Sequence, residues 1–97
     1  MQEPDPGRPL TINYTARLHY RLAARGRLPM WTIYTPNTRE YPGLWVARMF
    51  IALPEHKPTR FVILSDRLVA LHKMLPPGLA RICRSPGDAP EIVETWL

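Results

Sequence analysis

Three histidines, one cysteine and eight acidic residues carry the acid–base, nucleophilic and metal-binding chemistry open to this 97-residue chain. His19, His56 and His72 lack the close pairing on one helix or hairpin that zinc sites use, and Cys83 alone adds a thiolate. No metal and no cofactor is expected. A single cysteine excludes an internal disulfide and suits a reducing, cytoplasmic compartment. On an extended strand only Arg81, and not Arg84, shares a face with Cys83, so a buried or half-buried structural thiol is favoured over a reactive one. His72 reads as a partly buried histidine bonded to backbone, and His56 as a solvated turn residue.

The Ser/His/Asp order of serine hydrolases is missing, and five glycines spread singly form no phosphate-cradling loop. Glu91 and Glu94 fall on opposite faces of a strand, while Glu55, Asp66 and Asp88 lie in turns or caps, so no carboxylate pair is set for acid and base roles. A ribonuclease centre would need assembly from distant positions, with His19, His56 or His72 beside Arg48 and Arg81.

Charge is the stronger signal. Eleven Arg and two Lys against eight acids give a formal charge of +5 and a pI near 10.0. The guanidinium fork suits carboxylate and phosphate. Residues 1–30 hold Arg8, Arg17, Arg21, Arg25 and Arg27 against Glu3 and Asp5, a net +3 that leaves +2 for the rest. Arg17, Arg21 and Arg25, with His19, are the first candidate binding residues, and Arg48 and Arg81 complete the set. Trp31, Tyr34, Trp45, Phe50, Phe61 and Trp96 fall on expected strands. They read as core, although exposed aromatics beside arginines would point to single-stranded RNA.

Those groups must be held by one small domain, because 97 residues are too few for two cores. Residues 1–10, rich in proline and charge, are expected to be a disordered tail, and residues 11–97 a single α+β domain. Its core is expected over 31–97, with 11–29 a basic added strand or helix. From Thr11 to Leu22 apolar residues alternate, which favours a strand, while Tyr14, Leu18 and Leu22 with Ala23 and Ala24 keep a helix open. Met30 could serve as an alternative start. Strands follow at Trp31 to Thr35, Leu44 to Leu53 and Arg60 to Leu64, then a helix from Asp66 to Met74 behind Ser65, stopped by Pro76 and Pro77. Strands at Leu79 to Arg84 and Glu91 to Leu97 complete a small, mostly antiparallel sheet with one short helix packed on one face. No run reaches the roughly 20 apolar residues of a membrane span, so no membrane partner is expected.

The segments YPGLWVAR, SDRLVAL and LPPGLARICRSPGDAPEIVETWL, from about Tyr41 to Leu97, resemble short uncharacterised proteobacterial and mobile-element proteins. The shared pattern is carried by Pro76, Pro77, Gly78 and Leu79, then Arg84, Ser85 and Pro86, then Asp88 and Ile92, Val93 and Glu94. It covers a little over half the chain and implies a bacterial accessory protein, with no activity attached. The expected function is a non-catalytic binding or regulatory module docking a basic face on an acidic protein or nucleic acid. A phage-type inhibitor of a host system such as CRISPR defence is one form of it. The alternatives are a small basic ribonuclease of a toxin–antitoxin pair and a structural protein self-associating as a homodimer through a strand edge.

Overall fold

A computed structural model describes residues 11–97, and the tail expected over residues 1–10 lies outside the described residues. Alternating apolar residues build β1 (Leu28–Tyr34), β2 (Trp45–Leu53) and β3 (Lys57–Ser65), an antiparallel meander. After a helix the chain adds β4 (Arg81–Cys83) and β5 (Ile92–Trp96), and β5 pairs antiparallel with the free side of β1. The sheet order is β3-β2-β1-β5-β4. The class is α+β, and from Trp31 onward the chain follows the expected order of strand, strand, strand, helix, strand, strand.

Of the two N-terminal alternatives the less favoured one holds: the segment is a helix, α1 (Ile12–Ala24), so the described residues form two helices where one was expected. Thr15, Leu18, His19 and Leu22 recur at i, i+3, i+4 and i+7 and form its inner face. Gly26, at φ +77, ends it. The Gly26 N–H donates to the Ala23 carbonyl and the Arg27 N–H to the Leu22 carbonyl, both at 3.1 Å, the paired bonds of a Schellman stop. Only glycine adopts that backbone without strain, which makes Ala-Ala-Arg-Gly a helix ending. The second helix, α2 (Leu68–Met74), starts later than the expected Asp66. Ser65 Oγ accepts from the Arg67 N–H at 3.2 Å, forming a local turn before the helix instead of a cap on it.

Leu18 of α1 and Leu71 of α2 share one core cluster with Trp31, Ile33, Ala47, Met49, Ile51 and Ile63. Both helices therefore cover the same face of the sheet. Each of the large side chains contributes about 1.5–3 kcal/mol by burial. Because α1 supplies Leu18, the core extends beyond the 31–97 span that sequence composition favours. Cross-strand partners share a face, so Met30 with Phe50, Thr32 with Arg48 and Thr95, and Tyr34 with Val46 belong to the other one. No helix lies on that face among the described residues.

Candidate nucleic-acid interface

The outward side of α1 is the most basic part of the molecule. Arg17 and Arg25 are exposed and Arg21 half-buried, with exposed Arg27 just past the helix end. Their spacing of four residues steps them about 6 Å apart along the axis. No Asp or Glu occurs from residue 11 to residue 39. The helix is held down by Leu18 and Leu22 and by Tyr20, whose hydroxyl donates to the Pro77 carbonyl at 2.9 Å.

His19 points the other way. It is 6% exposed, and its Nδ1 accepts from Trp31 Nε1 at 3.1 Å. That bond requires an unprotonated Nδ1, and burial holds the imidazole pKa below its ordinary 6.5. His19 is thus a neutral interior acceptor for a fully buried indole and does not join the arginines on the surface.

The other candidates lie elsewhere. Arg48 is on the open face, donating from Nη2 to Glu40 Oε2 at 2.7 Å and from Nη1 to the Thr59 carbonyl at 2.9 Å. Arg81 is on β4, with Nη1 3.7 Å from Glu94 Oε2. Glu94, 5% exposed, is the feature the sequence reading passed over. Its Oε1 is hydrogen-bonded by His72 Nε2 and accepts from Trp96 Nε1 at 3.0 Å, so His72 bonds a carboxylate and not backbone. Glu94 faces inward beside Ile33, two residues from core-facing Trp96 by ordinary strand alternation, and a one-residue shift between Ile33 and Tyr34 in the β1–β5 register then turns Ile92 outward beside Tyr34. Cys83 is exposed, against the expectation of a buried or half-buried thiol, because β4 is an uncovered edge strand.

The aromatics divide between the faces. Trp31 is fully buried, and Trp45, Phe61 and Trp96 pack against the core, as expected. Tyr34 and Phe50 lie half-buried on the open face, where the Phe50 ring stacks on His56 at 5.8 Å. Among the described residues no three His, Cys, Asp or Glu side chains gather as metal ligands, and no helix is long and apolar enough to cross a membrane.

Fold and site together define a two-layer α+β domain with, among the described residues, helices on one face only and a basic outer helix. No family model, curated protein or solved structure matches the chain.

Proposed function

We propose that this protein is a non-catalytic binding module that docks the outer side of α1 on the phosphates of a nucleic acid. The observation that carries this reading is the clustering of four guanidinium groups, Arg17, Arg21, Arg25 and Arg27, on or beside one helix. Arginine outnumbers lysine eleven to two, which favours phosphate, for which the guanidinium offers bidentate geometry, over a diffuse acidic surface.

The test is fluorescence anisotropy with single- and double-stranded DNA and RNA across a salt series. Affinity should fall steeply with salt, and Arg17→Glu, Arg21→Glu and Arg25→Glu together should reduce the log–log slope by about 2 to 3. A pair of changes at the exposed helix end, Arg25→Glu with Arg27→Glu, repeats the measurement without touching the packed side. Absence of binding at low salt would overturn the reading, and capture of an acidic protein by the same arginines would replace it.

One observation favours the ribonuclease as a second reading: His72 and Arg81 meet on the Glu94 carboxylate. A histidine oriented by a buried carboxylate, with an arginine at hand for phosphate, has the parts of a general acid–base centre. It ranks second because Glu94 already serves to tie α2 to β5 and satisfies the Trp96 indole. RNA cleavage lost in His72→Ala and Arg81→Ala would raise it to first place; intact RNA after incubation with the protein removes it.

A further inference from the structure

The loop between β1 and β2 folds back over the open face and is closed by its own backbone. The Gly43 N–H donates to the Pro36 carbonyl at 2.8 Å, the Leu44 N–H to the Tyr41 carbonyl at 3.2 Å, and the Tyr41 N–H to Thr38 Oγ1 at 3.2 Å. Gly43, at φ +83, lets the chain turn back into β2. Between loop and sheet lies a cleft of about 320 Å³, the low end of ligand-site volumes and large enough for a single heterocycle. Val46, 2% exposed, gives it an apolar surface, and Tyr34 and Tyr41 contribute aromatic ones. Burial raises the pKa of both tyrosines, so their hydroxyls stay protonated donors.

Its polar groups form a fixed pair. The Arg48 side chain, 18% exposed, is anchored by Thr59 and holds Glu40, which is 60% exposed, through Oε2. Arg48 thus offers N–H donors beside a carboxylate that also accepts from the Tyr41 hydroxyl and keeps further lone pairs as acceptors. Among the common bases, guanine alone presents two adjacent donors, N1–H and N2–H, next to an acceptor, O6. A carboxylate beside a guanidinium complements that edge, whereas the unprotonated N1 of adenine would face the carboxylate without a proton to share.

We propose that this cleft binds the base of a guanine nucleotide, stacked against tyrosine, with its Watson–Crick edge on Glu40 and Arg48 and its phosphate toward exposed Arg39. The site shares no residue with the α1 surface, so failure of either proposal leaves the other standing.

The experiment is a heteronuclear NMR titration of the full chain with 5′-GMP and, separately, 5′-AMP. Saturable shifts confined to residues of the β1–β2 loop, β1 and β2 are expected, with GMP bound at least about tenfold more tightly. Glu40→Gln, at an exposed position, should abolish the preference, and Tyr41→Ala should weaken both nucleotides about tenfold. Equal affinity for the two, shifts located elsewhere, no saturation by either, or GMP binding indifferent to both substitutions would each overturn the assignment.

Discussion

Between the helices and the sheet lie Trp31, His19 and Glu94, tied by the Trp31–His19 and Trp96–Glu94 hydrogen bonds, while on the opposite face Tyr34, Arg48 and Phe50 stay half-buried, the first two lining a cleft. Among the described residues no buried side-chain nitrogen or oxygen lacks a hydrogen bond. The covered face therefore uses polar groups as specific ties, because an orphaned one there costs its full desolvation. On the open face the same residue types retain contact with water and have capacity left for a ligand. The difference separates residues that hold the fold from those available to bind, and it sets how strongly each face responds to change.

The largest effect should come from removing the cover. A chain beginning at Met30 loses α1, the first two residues of β1, and with them Leu18 and the His19 acceptor of Trp31. It should show no cooperative thermal transition by circular dichroism, and a transition near that of the full chain would mean that α1 is an appendage. Next is Glu94→Ala, which strands the Trp96 N–H and frees His72 and Arg81 at once. A loss of about 3 kcal/mol in urea unfolding is expected. A loss below about 1 kcal/mol would place this carboxylate with surface ion pairs.

A third effect depends on pH. His19 is held neutral by burial, while in the unfolded chain it regains its ordinary pKa of 6.5. The unfolded state then binds the extra proton, so the stability contributed by neutral His19 is complete above that value and is lost as pH falls through it toward the lowered folded pKa. Comparing unfolding at about pH 7.5 and about pH 5.0 should show that His19→Gln, which keeps an acceptor for Trp31 but does not titrate, loses less on acidification than the native chain. Equal losses would move the acid sensitivity to other groups.

Much of the sheet was legible because alternation has a direct physical cause: in β2, Ala47, Met49 and Ile51 face the core and Val46, Arg48 and Phe50 do not. The α1 segment misled because Tyr14, Leu18 and Leu22 satisfy a period of 2 and of 3.6 together. The residue that decides is Gly26, a helix-stop signal four positions past Leu22. Glu94 was illegible for a different reason. Its inward orientation follows from sharing a face with Trp96, but the partners that make a buried carboxylate tolerable lie on α2 and β4. Nothing local to Glu-Thr-Trp encodes those partners, although alternation with Trp96 does encode the face. The cleft likewise joins Arg48 to Glu40 across a loop whose closure depends on Gly43 and Thr38.

The smallest effect is the most direct check on the contrast between the faces. Phe50 and Trp31 both belong to paired central strands, but Trp31 has no exposed surface whereas Phe50 is half-buried with His56 stacked on it. Replacing Trp31 by Ala should cost about 3–5 kcal/mol, transfer and cavity terms together. Replacing Phe50 by Ala opens no enclosed cavity and forfeits partial burial with one ring contact, so about 1–2 kcal/mol is expected in the same unfolding assay. Similar costs for the two would show that the face bearing Phe50 is covered in solution, as by a second copy. The cleft beside Tyr34 would then be part of a core and not a site.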